Sequence, residues 1–300
     1  MLVLSHQAFL HPPKPSSLPR IKPRASMSRS RSPSPLLDFP YLPPPHRELM
    51  LSLLSTVHSR LASHLLPSSV PSDVLSFHND ASTSFGALDI RSGAHDSPVD
   101  FILESWLHCK LPTGALNITT LFGFLNASTE APHLLMEFIQ GSPTSLVLFM
   151  DLLPRKDLVL HPEYLAEFYQ DTQLEKLRQE LNNLPYVQPY CSSSLYIRSV
   201  LSPTAVAVNI NCGADGESSM EEVMGAQLSS VAKEVLQIWL DKCACSSHQM
   251  EESKRNVLIQ RDNLIKTKTV EIDLSANLPR MFGPNVAEKI VGTIQKTFRI

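Results

Sequence analysis

The sequence predicts an α+β chain, an α/β/α sandwich with a central antiparallel sheet flanked by helices on both faces. Three observations point there. Strand-like apolar runs follow one another through the middle of the chain with short connections, which favours antiparallel pairing. Helical patterns precede these runs and fill most of the last third. The stretch HLLMEFIQGSPTSLVLFMD, His133 to Asp151, reads as a hairpin whose first run is apolar on both sides. Leu135, Glu137 and Ile139 share one side and Leu134, Met136 and Phe138 the other, because side chains alternate along a strand. Such a strand is expected to be covered above and below.

From Met1 to Pro35 there is no Asp or Glu, while Lys14, Arg20, Lys22, Arg24, Arg29 and Arg31 are spread among serines and prolines. This is the composition of an organelle transit peptide. A secretory signal is disfavoured, because MLVLSHQAFLHPPK lacks a basic start and Ser5, His6 and Gln7 break its apolar region. The alternative is an unprocessed disordered arm. Either way residues 1–35 stand outside the fold, and 36–300 are expected to form a single domain.

PHRELMLSLLSTVHSRLASHLLP places Leu49, Leu53, Val57, Leu61 and Leu65 at helical spacing and stops at Pro67. Strands are expected from Phe85 to Arg91, Val99 to Cys109, Ala115 to Phe124, and then as the hairpin from Leu134 to Leu152. HPEYLAEFYQDTQLEKLRQEL is rich in helix formers and predicts one or two helices. SLYIRSVLSPTAVAVNINC predicts paired strands around Ser202 and Pro203. Helices follow at Met220 to Cys243, Glu251 to Lys266 and Asn285 to Phe298. Between them TVEIDL predicts a short strand with Val270, Ile272 and Leu274 opposite Glu271 and Asp273.

The totals exclude several functions. The chain has 300 residues, 43% of them apolar, and no apolar run approaches the roughly 20 residues of a membrane span. No G-x-G-x-x-G and no G-x-x-x-x-G-K-[ST] occurs, which argues against a dinucleotide or nucleotide-phosphate loop. Cys109, Cys191, Cys212, Cys243 and Cys245 contain no C-x-x-C pair and read as free thiols. Cys243, Cys245 and His248 are close in sequence, but residues two apart leave a helix on different faces and no fourth ligand is evident, so no metal is expected. Without the six leader cations, 20 basic residues face 29 acidic ones, a formal −9, which disfavours nucleic-acid binding. Residues 251–300 run the other way, with nine basic residues against six acidic. Lys254, Arg255, Arg261 and Lys266 there are candidates for guiding a negatively charged partner.

Glu137 is the first candidate site residue. Amid apolar neighbours it either escapes into a cavity or occupies a low-dielectric site that favours its protonated form, where a proton donor can be kept. The plain alternative is a core carboxylate satisfied by an Arg or the backbone. Asp273 is less distinctive, since Glu271 shares its face and an exposed polar edge explains both. Trp106 reads as core, and His161, before Pro162, as the start of a helix.

The phrases SWLHCKLPTGALNIT, RKDLVLHPEYLAEFYQDT, SLYIRSVLSPTA, IWLDKC and EIDLSANLPRMFGP, taken in order, resemble the red chlorophyll catabolite reductases of plant chloroplasts. The resemblance runs from about Leu36 to the C-terminus. It implies a fold similar to the ferredoxin-dependent bilin reductases, with a tetrapyrrole pocket between the sheet and the helices of one face. It implies an enzyme of the chloroplast stroma with no bound cofactor or metal. Reduced ferredoxin would supply single electrons to reduce the C20/C1 double bond of red chlorophyll catabolite, giving the primary fluorescent catabolite. Glu137 and Asp273 would be the pocket acids, binding substrate and supplying protons, and Leu201 an apolar pocket wall. Partners implied are the open-chain tetrapyrrole, ferredoxin, pheophorbide a oxygenase and a second copy of the chain as a homodimer. A non-catalytic tetrapyrrole carrier and a reductase of heme-derived bilins are the competing readings.

Overall fold

The computed structural model describes residues 38–112, 114–213, 216–246 and 252–300. The expected leader and His248 lie outside them. The chain opens with α1 (Pro44–Arg60), then α2 (Ser72–Leu75) and six consecutive strands. These are β1 (Ser76–His78), β2 (Ser84–Ser92), β3 (Val99–Leu111), β4 (Gly114–Leu125), β5 (His133–Ser142) and β6 (Ser145–Leu153). Helices α3 (Pro162–Leu165) and α4 (Leu174–Asn182) follow, with a π turn at Ala166–Gln170 extending α3. Then come β7 (Val187–Pro189), α5 (Leu195–Val200) and β8 (Val206–Asn211). The last third is helical: α6 (Gly216–Val223), α7 (Ser229–Trp239), α8 (Glu252–Thr269), α9 (Ser275–Phe282) and α10 (Pro284–Phe298). No helix among the described residues is long and apolar enough to cross a membrane.

All eight strands join one antiparallel sheet in the order β1-β2-β3-β4-β5-β6-β8-β7. Alternation along β5 sorts its side chains as the sequence predicts. Leu134, Met136 and Phe138 pack into one core with α1 and α7, and Leu135 and Ile139 into a second core with α8, α9 and α10. The α/β/α sandwich is therefore built around β5, whose residues from His133 to Phe138 are all buried.

Two predicted strands are helices. SLYIRSV forms α5, started by Ser194, whose Oγ accepts the Ile197 N–H at 3.3 Å. Only the part after Pro203 pairs, as β8 between β6 and β7. VEIDL is a π turn at Val270–Leu274 that continues α8 into α9. Helix formers run unbroken into it from α8, and Val270 and Leu274, four apart, bury together on a helix as readily as on a strand face. Glu271 and Asp273 accordingly do not share a face: Glu271 is exposed and Asp273 is 3% exposed. The first helix ends at Arg60 instead of Pro67, and Leu65 bridges to Gly93. β7 and α9 were not expected from the sequence.

Gly123 on β4 lets α7 lie flat on the sheet. A Cβ there would sit 2.6 Å from the ring of Trp239, which is itself fully buried and donates from Nε1 to the Pro132 carbonyl at 3.1 Å. Gly123→Ala should cost about 1–3 kcal/mol of stability through overpacking, read from urea denaturation, with secondary structure retained. An unchanged midpoint would show that Trp239 can move aside.

A candidate active site between the sheet and the C-terminal helices

The second core contains a polar strip where the sheet meets the last helices. Register places Leu88, Ser105, Thr120, Glu137 and Phe149 in one row across β2 to β6, and Leu103, Phe122, Leu135 and Asp151 in the next. Glu137 is fully buried, and Thr120 Oγ1 donates to its Oε1 at 3.3 Å. Opposite this row, Asp262, Lys266, Thr269, Asp273 and Asn277 recur every three or four residues along α8 and α9, and all are buried. Asn277 Nδ2 donates to Asp273 Oδ1 at 2.9 Å and to the Asp273 carbonyl at 3.0 Å. The acids expected from β5 and from EIDL therefore belong to the two walls of one interlayer.

Between those walls is a slot lined by Leu103, Thr120, Phe122, Leu135, Thr269, Leu274, Ile294 and Phe298, with about 10 Å³ of free space. That is far below the roughly 300 Å³ or more of a site for a drug-sized ligand. The π turn that carries Asp273, and Gly283 at φ +79° between α9 and α10, interrupt the helical wall.

Asp151 is a third acid on this face that the sequence reading passed over. Its carboxylate accepts both donors of Ser202, the hydroxyl at 2.5 Å and the backbone N–H at 2.7 Å. Burial pushes its carboxyl up to about 7 against the pull of those bonds. Ser202 follows Leu201, which is half-buried against the second core, so Asp151 fixes the backbone beside the expected pocket wall. A period-two reading of β6 puts Asp151 on the face of Phe149, but its partner lies 51 residues away.

The end of the interlayer is closed by ions. Arg155 is 2% exposed and donates to both oxygens of Asp262, at 2.6 and 3.2 Å, and to the carbonyls of Thr129 at 2.6 Å and Asn126 at 3.2 Å. His133 stacks on Phe124 with ring centroids 3.9 Å apart. Its Nδ1 accepts the Leu125 N–H, which leaves Nε2–H to donate to Asp262 at 3.0 Å. Burial lowers the imidazole to about 4, so it is neutral at pH 7. Burial opposes the Asp262 charge, but the His133 and Arg155 contacts outweigh it and hold the carboxyl at about 2.

Trp106 is buried on the opposite sheet face, with the α1 core. His161 stands before Pro162 at the start of α3, partly exposed beside Glu163. Cys243 is buried and Cys245 exposed, and among the described residues no group of His, Cys, Asp or Glu is arranged to hold a metal. Of the proposed basic face, Lys266 is lost: it is buried over Phe101 and Phe124 and bound to Asp100 at 2.7 Å. Arg261 turns its guanidinium to the Pro154 carbonyl, the side chain of Lys254 lies outside the described ones, and Arg255 is exposed.

A protein-family model described as red chlorophyll catabolite reductase (RCC reductase) matches residues 45–296. The chain is 51% identical over 257 residues to red chlorophyll catabolite reductase 1, chloroplastic, of Oryza sativa subsp. japonica, covering 85% of this chain and 78% of that protein. It is 54% identical over 202 residues to the red chlorophyll catabolite reductase of Hordeum vulgare, covering 67% and 98%. With the chloroplastic enzyme of Arabidopsis thaliana the identity is 46% over 268 residues, covering 88% and 83%. The structure is also similar to crystalline phytochromobilin synthase from tomato in complex with biliverdin. The TM-score is 0.65 at 15% identity, over 84% of this chain and 82% of that one, a likeness of fold.

The raised Asp151 carboxyl has a consequence for stability. Its folded value of about 7 lies above the ordinary 3.8, so the folded chain binds the extra proton between them. The stabilisation is complete below the ordinary value and is lost as pH rises through about 7. Asp151→Asn should flatten the fall in melting temperature across this window. A variant with the wild-type pH slope would show that Asp151 is ionised throughout.

Proposed function

The chain belongs to the red chlorophyll catabolite reductase family, and from that premise we propose that it reduces the C20/C1 double bond of red chlorophyll catabolite in the chloroplast stroma, giving the primary fluorescent chlorophyll catabolite. Two electrons and two protons are added across the bond. Reduced ferredoxin supplies the electrons singly, and the protein holds no flavin, nicotinamide or metal for the purpose. The open-chain tetrapyrrole itself accepts each electron. The oxygenase that makes the red catabolite acts upstream, and the working unit is a homodimer.

The observation that carries this reading is the pair of buried acids on facing walls, Glu137 from β5 and Asp273 from the π turn. Glu137 stands among Leu135, Ile139 and Phe149, where a neutral carboxyl is favoured and a proton stays available. As an electron reaches the pigment, a carboxyl held against the conjugated system neutralises the developing negative charge by giving up its proton. Asp273 serves from the opposite side, and Leu201 shapes the apolar wall. Thr120, donating to Glu137, orients it.

Glu137→Gln keeps shape and hydrogen bonding but removes the transferable proton, so turnover should fall by about 10²- to 10⁴-fold while pigment affinity changes far less. Asp273→Asn should also slow turnover, and a shared proton path would make the double variant lose less than the product of the single losses. Rate of fluorescent product, pigment binding and circular dichroism decide this. Full activity in Glu137→Gln would make that carboxylate structural. A chain that shifts the pigment's absorption without consuming electrons would be a carrier, and faster turnover of a heme-derived bilin would change the substrate.

Docking of acidic ferredoxin onto a chain of net negative charge calls for a local basic face, and with Lys266 buried the exposed cations of residues 251–300, among them Arg255 and Arg280, are candidates, together with half-exposed Lys268. Charge reversal at these three should raise the apparent ferredoxin KM several-fold and weaken its salt dependence, with pigment binding intact. Unaltered ferredoxin kinetics would place the docking face elsewhere.

A further inference from the structure

Asn277 gives Asp273 both of the hydrogen bonds described above, one to its side chain and one to its own carbonyl. An amide forked between the carboxyl and the backbone of one residue restricts that side chain's rotation. An N–H held on Oδ1 favours negative charge on that oxygen. The arrangement comes from the local helix geometry. The π turn at Val270–Leu274 puts one extra residue into the winding, and α9 then resumes ordinary spacing, so that residue 277 lies one turn above residue 273 on the buried side. Asn is a poor interior helix former and is 3% exposed here, so propensity does not account for its presence.

We propose that Asn277 is a positioning residue for the reduction, fixing the orientation of the Asp273 carboxyl. This rests on the reading of Asp273 as an acid that serves the pigment. The donor also stabilises the ionised carboxylate, so it sets the pH at which Asp273 stops carrying a proton. Glu137 and Asp151 face the interlayer from the sheet, Lys266 from α8 is bound to Asp100, and Tyr196 on α5 is half-buried. Arg280 on α9 and Lys289 on α10 are exposed.

The test is an infrared pH titration of the pigment-free protein, following the protonated-carboxyl band that Asp273→Asn removes. In Asn277→Ala and Asn277→Leu that band should titrate about one pH unit higher than in the wild type, and higher again in Asn277→Asp, where a like charge replaces the donor. The alkaline limb of kcat should move by the same amount, with the pigment KM nearly unchanged. Ala is included because it demands the least repacking, and circular dichroism checks the fold of all three. If the band does not move while Asp273→Asn is slow, the Asn277 assignment is wrong. If Asp273→Asn turns over at full rate, the reading of Asp273 falls first, and the catalytic meaning of the Asn277 contact falls with it.

Discussion

The buried ion pair between Arg155 and Asp262 is the constraint on which the candidate site depends. Arg155 leaves the end of β6 and Asp262 sits on α8, so their contact fastens the helical layer to the sheet. The link is reciprocal, because Arg261, beside Asp262, donates to the carbonyl of Pro154, beside Arg155. A buried guanidinium is tolerable only when its donors are used, and here two carboxylate oxygens and the 126–131 carbonyls take them. Removing either partner would leave a charge in the core and free α8 to slide. Its register against the sheet is what brings Thr269, Asp273 and Asn277 over the row holding Thr120 and Glu137.

Much of this was legible in the sequence, for reasons that differ by element. The strands from β2 to β6 were readable because alternation has one interpretation when turn residues bound each run. Glu137 was readable because a lone carboxylate in a run apolar on both faces has nowhere to go but a cavity or the core. VEIDL misled because Val270 and Leu274 satisfy period two and helical spacing alike, and five residues do not separate them. What settles it is the unbroken helix preceding it. SLYIRSV misled because β-propensity outweighed a single capping serine, Ser194. Asp151 escaped notice because its significance lies in Ser202, far along the chain, and Asn277 because its partner is visible only once Asp273 is known to be helical.

The acids of the interlayer show how one side-chain chemistry is divided between two tasks. Asp262 is met by a guanidinium, and the charge of that partner outweighs burial and leaves the carboxyl ionised through the whole useful pH range. Asp151 is met by a hydroxyl and backbone N–H groups, and there burial wins, lifting it to about 7. The first acid is an anchor and exchanges no proton. The second can do so near neutral pH. Glu137 and Asp273 lie in the same layer, with Thr120 donating to the first and Asn277 to the second. With Asp262 bound to Arg155 and Lys266 bound to Asp100, the charges of the layer are paired, and its remaining lining is largely apolar. In the proposed reduction, that layer would hand over protons as a transferred electron makes the ligand basic.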